Sequence, residues 1–233
     1  MKSTVNEEWI GVSDIMTGLM MVFLFACVVF IQQIDSEKRS IEEIAFTYAQ
    51  YRDQLQNELL EEFQPDLMRW NAEILEDSTI RFNEPDVLFD RGSKDIKPRF
   101  EAILDDFFPR YVGVLGSEKF RDLIMELRIE GHTSSTWDGR VNLEQRYLKN
   151  AQLSQQRSFS ILEYCFTIPA IYPYREWLTK VIRANGLAFA NPIMVGGIED
   201  HARSRRVEFK VRTQAEDRII EIIEKSEEQR GTS

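Results

Sequence analysis

From Ile10 to Ile31 the chain reads IGVSDIMTGLMMVFLFACVVFI, about 22 residues in which Asp14 is the only charge. Because about 20 apolar residues suffice to cross the hydrocarbon core of a bilayer, the run predicts a transmembrane helix. A cleaved signal peptide would need a basic flank and a small-residue cleavage site, whereas the flank here is MKSTVNEEW. Leu24-Phe25-Ala26-Cys27 makes a poor lipoprotein box, since Phe25 is bulky and the residues after Cys27 stay apolar. Orientation is weakly marked, with Lys2 before the span and Lys38 and Arg39 after it, a bias slightly against placing the larger part outside.

A carboxylate at the centre of a spanning helix costs about 2.5–3.5 kcal/mol on insertion scales, and one retained there usually serves ion movement or pairs with a partner. Depth separates two readings of Asp14. At 1.5 Å per residue it lies only about 6 Å inside a span that starts at Ile10, where Ser13 or Asp14 would serve as a helix N-cap at the interface. The second reading rests on the stripe Gly11, Asp14, Thr17, Gly18 and Met21, whose helical spacing puts small and polar groups on one face. Such a face suits protein neighbours, and there Asp14, with Thr17 beside it, would take up and release a proton. One helix with one carboxylate makes no pathway alone, so this reading implies a partner subunit supplying the other wall.

The whole chain of 233 residues has room for one ordinary domain beyond the span, and 43% hydrophobic content is enough to bury its core. Its net charge of −10 argues against direct nucleic-acid binding, which needs clustered Lys and Arg on phosphates. Cys27 and Cys165 fall in membrane and soluble segments respectively, so they read as small buried hydrophobes and not as a disulfide.

Ile34 to about Asp77 is charged, free of glycine and interrupted by one proline, Pro65, which predicts a helical stalk. Ile34, Ile41, Tyr48 and Leu55 recur every seven residues, with Ile44 and Tyr51 between them, as in a short parallel coiled coil. Glu37 and Glu58 break the second core position, so an amphipathic helix lying on its own domain is the competing reading.

Beyond the stalk, strands are expected at Thr79–Phe82, Val87–Phe89, Leu127–Glu130 and Arg206–Val211, and helices at about Lys97–Val114, Asn150–Phe166, Tyr174–Ala184 and Asp217–Glu228. Alternation of strands and helices predicts an α/β fold, a two-layer α+β domain, behind the single N-terminal transmembrane helix and helical linker. His132 and His201 have no Cys, His or Asp cluster at ligand spacing, and His132 reads as a loop histidine with structural hydrogen bonds. With no nucleophile motif or phosphate loop, the chain reads as a non-enzyme without cofactor or metal.

Four fragments carry a family resemblance: VLFDRGSKDIKP, LRIEGHTSS, NAQLSQQRSFSIL and ARSRRVEFKV, in this order and spacing. Together they resemble the OmpA-like peptidoglycan-binding domain and cover most of 79–213. In that family a GHTD loop and an N-x-x-L-S-x-x-R helix clamp the diaminopimelate of the peptide stem, aspartate on its ammonium and arginine on its carboxylate. The resemblance therefore assigns Asn150, Leu153 and Ser154 to the helix motif and Arg157 to the carboxylate clamp. Ser134 stands where the family has aspartate, which removes the negative partner, and Asp138 in the same loop is the candidate substitute. Ser204 stands for the first residue of the family's NRRV motif, while Arg205, Arg206 and Val207 match it. The competing reading of these arginines is structural, as ion pairs joining strand ends to the helix.

The span with D-x-M-T-G-L-M-M, the helical linker and the OmpA-like domain together resemble the B subunits of ion-driven stators, MotB-like proteins. Within that family the Asp14–Met21 segment, the GHTSS loop and the short N-terminal tail favour the branch of the Zorya anti-phage system. The resemblance implies a homodimer inside a pentamer of a multi-span MotA/ZorA-like subunit, a 5:2 complex, with Asp14 passing protons and cytoplasmic effectors acting through the A subunit. It implies a short cytoplasmic tail at 1–9, a transmembrane helix at 10–32, a linker at 33–78, the peptidoglycan-binding domain at 79–213 and a C-terminal helix and tail at 214–233. The setting would be a bacterial inner membrane, with the C-terminal domain periplasmic. A flagellar or Tol/Exb-like stator subunit and a passive peptidoglycan tether are the alternatives.

Overall fold

The computed structural model describes residues 4–83 and 88–213, and their side chains except at 4–14, 37, 40–45, 47 and 48. The expected strand residue Val87 and the helix at Asp217–Glu228 lie outside the described residues. The chain divides into two units, Met1–Tyr48 and Ala49–Ser233.

Helix α1, Thr4–Trp70, begins in the first unit and ends in the second. Its segment Ile15–Ser36 has a mean hydropathy of 2.4 and is long and apolar enough to cross a membrane. Ile15, Leu19, Phe23 and Phe30 expose most of their surface, as lipid-facing side chains would. Cys27 is partly exposed and Cys165 buried, and both are free thiols.

The second unit holds a five-stranded sheet in the order β1-β2-β7-β3-β4. Its strands are β1 (Ala72–Ile74), β2 (Ile80–Phe82), β3 (Ile124–Gly131), β4 (Ile182–Gly186) and β7 (Val207–Thr213). β3 and β4 are parallel and the other pairs antiparallel. Register sorts the side chains by face, because successive residues of a strand point to opposite sides. Ile80 and Ile129 oppose Phe209, Phe82 opposes Val207, and Leu127 opposes Val211. One residue on, Arg81 and Glu130 both oppose Glu208, and Arg128 opposes Lys210. One face is therefore apolar and roofed by helices, and the other charged, the two-layer arrangement the alternating pattern predicts.

The roof consists of α2 (Pro98–Leu115), α3 (Leu143–Thr167), α4 (Arg175–Val181) and the end of α1. Phe107 is its hub, with ring centroids 4.9 Å from Phe209, 5.3 Å from Phe63 and 6.0 Å from Trp70. Leu55, Leu59, Phe63 and Trp70 of α1 are buried in this core. Leu55, the fourth residue of the heptad series, thus packs against its own domain, as the amphipathic reading of the stalk has it. Arg110 fixes the same helix end by bonding Glu62 Oε1 at 2.6 Å and Asp66 Oδ2 at 2.9 Å.

Four elements depart from expectation. The stalk helix expected to reach about Asp77 ends at Trp70, and β1 (Ala72–Ile74) joins the sheet instead. The helix expected to run through Ala184 ends at Val181, and β4 follows at once. Helix α3 begins at Leu143, seven residues before Asn150, because Asn142 and Gln145 form a reciprocal capping box. Phe89 makes only an isolated bridge to Ile96 in place of a strand. A hairpin of β5 (Met194–Val195) and β6 (Ile198–Glu199) and a short helix α5 (His201–Ser204) precede β7.

Candidate functional site

At the C-terminal end of β3 the strand meets α3 so closely that a side chain could not fit between them. A Cβ on Gly131 would lie 2.6 Å from the Ser154 carbonyl oxygen, and one on Gly186 would lie 2.2 Å from the Gln155 nitrogen. Small hydroxyls lock this approach. Ser158 Oγ lies 2.7 Å from Ser154 O and 2.8 Å from Asn185 O, and Ser154 Oγ accepts from Ala188 N at 3.0 Å. Gln155 adds two bonds, to Ala184 O at 3.0 Å and from Gly186 N at 2.8 Å. The serines of the N-x-x-L-S-x-x-R helix therefore seat the helix, leaving its other positions to line a cleft.

That cleft has a volume of about 560 Å³, within the range of small-ligand sites. It is bounded by the loop after β3, the first half of α3, the 89–92 segment and Arg205. Ser134, Asp138, Asn150, Leu153, Arg157 and Arg205, six of the positions picked out by sequence, all line it. Asn150 is buried and ties helix to loop, donating from Nδ2 to Arg146 O at 3.1 Å and to Thr136 O at 3.5 Å. Phe89, Arg91, Thr133 and Trp137 also line the cleft and were not foreseen. They come from loops whose approach to α3 no local periodicity encodes.

Arg157 is 8% exposed and sits over the Phe89 ring at 4.8 Å. Its Nε donates to Ser93 O at 2.8 Å and its NH2 to Asp90 O at 3.0 Å, so it anchors the 90–93 turn as well as facing the cleft. Burial and the neighbouring Arg205 charge push its pKa down to about 10, which still leaves it cationic at neutral pH. No ion pair of Arg157 or Arg205 with a carboxylate occurs among the described residues, in contrast to the structural ion-pair reading. Asp138 is 76% exposed, at the rim, and bonds Arg91 at 2.7 Å.

Arg206 does not join this cleft. It is buried, donating from Nε to Glu208 Oε1 at 2.6 Å and from NH1 to the carbonyls of Asn191 and Ser204 at 3.2 Å. Glu208 Oε1 also accepts from Arg81 Nε at 2.7 Å. His132 Nε2 lies 3.3 Å from Glu208 Oε2 and 3.8 Å from Glu130 Oε2 and makes no hydrogen bond among the described residues. The side-chain hydrogen bonds expected of His132 are thus not made, and its near neighbours are glutamates from β3 and β7. Burial raises the Glu208 pKa, but His132 and Arg206 more than reverse this and hold it far below the usual carboxylate range. Glu130, His132 and Glu208 converge as metal ligands would. Arg81 and Arg206 already neutralise Glu208, so this cluster is better suited to holding strands together than to holding a cation.

Asp14 lies in α1 with its side chain outside the described ones, and Thr17 is exposed one turn further on.

No protein-family model matches the chain. The Zorya protein ZorB of Escherichia coli is 44% identical over 225 residues, spanning 96% of this chain and 95% of that protein. Among solved structures, a MotB-like protein from Desulfovibrio vulgaris is 24% identical, with a TM-score of 0.46 over 75% of this chain and 99% of its own. The cell wall anchor of the T6SS from Pseudomonas aeruginosa is 20% identical, with a TM-score of 0.45 over 67% and 97%. The periplasmic domain of Helicobacter pylori MotB is 16% identical, with a TM-score of 0.44 over 66% and 90%.

Proposed function

This chain belongs to the ZorB family of Zorya proteins, and from that premise we propose that it is the membrane-anchored B subunit of a proton-driven, MotB-like stator that grips peptidoglycan in anti-phage defence. The observation that carries the wall-binding half is the cleft, where Arg157 and Arg205 stand together without a carboxylate partner among the described residues. A buried guanidinium with no counter-ion is a ready donor to an anionic ligand, and its planar fork matches a peptide carboxylate. Asn150 and Leu153 complete the wall from the same helix, and Ser134 the opposite side.

In the membrane half, the apolar segment of α1 crosses the inner membrane once, with the N-terminus cytoplasmic and the domain periplasmic. Asp14 carries the proton and Thr17 lines its route, in a helix that pairs with a second copy and is surrounded by a multi-span A subunit. A potential of 100 mV supplies about 2.3 kcal/mol per proton, enough to bias a rotation step if protonation alternates between two arrangements. Anchoring would hold the B dimer still while the A ring turns and signals to cytoplasmic effectors. What favours Zorya over a flagellar or Tol/Exb-like energiser is the identity across 96% of the chain.

The wall-binding half is tested by co-sedimentation of the full chain in detergent with purified sacculi. Retention of the native chain and at least tenfold weaker retention of Arg157→Ala are expected, the loss typical of removing one partner of a desolvated charge pair. Equal retention of the two would remove the clamp.

A further inference from the structure

The cleft is chemically lopsided. Its lining residues carry three guanidiniums, of Arg91, Arg157 and Arg205, and one carboxylate, Asp138. That carboxylate stands exposed at the rim and is already bonded to Arg91. Apart from Trp137 and the rim carboxylate of Asp138, the wall formed by the loop after β3 presents hydroxyls. Ser134 Oγ and Thr136 Oγ1 bond each other at 2.7 Å, and Thr133 Oγ1 is buried without a hydrogen-bond partner among the described residues. A hydroxyl both donates and accepts, so this wall can satisfy the N–H or the C=O of an amide. It cannot neutralise an ammonium, which would stand desolvated among like charges and lose affinity for that reason.

Resting on the peptidoglycan reading above, we propose that this cleft selects stem peptides whose side-chain amine is acylated, as it is in a cross-link, over those whose amine is free. The carboxylate of the ligand meets Arg157 and Arg205, and the acylated nitrogen with its carbonyl meets Thr133, Ser134 and Thr136. The subunit would thereby hold cross-linked, load-bearing wall and pass over uncross-linked strands. A stator anchor must resist torque, and only cross-linked strands transmit it to the surrounding wall.

The test titrates the full chain in detergent with three probes: a diaminopimelate-containing stem peptide with its side-chain amine free, the same peptide acetylated on that amine, and a cross-linked dimer. The acetylated and cross-linked forms are expected to bind about tenfold or more tightly than the free amine, the scale of leaving one charged group unpaired. Ser134→Asp should reverse that order by restoring a negative partner, and the ligand series on the native chain stands even if that variant does not fold. Equal affinities, or tighter binding of the free amine, overturn the selectivity while sacculus retention leaves the wall-binding reading intact. Retention on sacculi with no binding of any of the three peptides likewise overturns it. Failure to bind both peptides and sacculi removes the two readings together.

Discussion

Arg206, immediately before β7, donates through Nε to Glu208 Oε1 at 2.6 Å, and both side chains are buried. This bond sits at the centre of a charge row on the polar face of the sheet, with Arg81 reaching Glu208 from β2 and Glu73 bonding Arg81 at 3.1 Å. The same contacts fix Arg206 behind the cleft, so that of the two adjacent arginines only Arg205 faces it.

A pH dependence follows from Glu208. Its carboxyl is held far below its ordinary range, so the folded state binds that proton less readily than the unfolded one. The stabilisation is therefore complete above the unfolded value, about 4.3, and is lost as pH falls below it. Urea midpoints followed by Trp fluorescence should fall steeply below about pH 4.5 in the native chain. In Glu208→Gln the unfolding free energy should be lower at neutral pH by about 3 kcal/mol and flatter with acid, since one partner of a buried ion network is gone.

The end of α1 belongs to the core of the domain. Phe63 is fully buried against Phe107, Trp70 and Tyr111, so Phe63→Ala should cost about 3–5 kcal/mol in urea unfolding. Met68, on the same helix and 94% exposed, should tolerate alanine within about 0.5 kcal/mol. Equal small effects would mean that the helix end is a free stalk.

Gly186 is where α3 and β4 approach. Its Cβ would collide with the Gln155 backbone at 2.2 Å, and backbone cannot swing aside as a side-chain tip can. Gly186→Ala should cost about 1–3 kcal/mol and, by moving the helix that bears Asn150 and Arg157, weaken sacculus retention as well. Unchanged stability and retention would show that the contact is slack.

Much of this was legible in the residues. The alternation of Leu127–Glu130 and Arg206–Val211 located the two central strands, and Pro98 located the start of α2. The strand β4 was hidden because Trp177, Leu178, Val181 and Ile182 continue a helical spacing with no breaker, and only its pairing with β3 makes the turn to strand visible. The capping box of Asn142 and Gln145 was written in the sequence eight and five residues before Asn150 and marks the true start of α3. At the site, residues carried by one helix or loop were found together: Asn150, Leu153 and Arg157, and Ser134 with Asp138. The partners of His132 were missed because Glu208 is distant in sequence and joins it only through the pairing of β3 with β7.

Proton flux across membranes holding the native chain with its multi-span partner, set against the Asp14→Asn variant at equal expression and equal sacculus retention, tests the ion-carrying role most directly. Flux and phage protection are expected to vanish together in the variant while wall binding persists. Survival of both in Asp14→Asn would contradict the stator reading and leave a wall-bound tether.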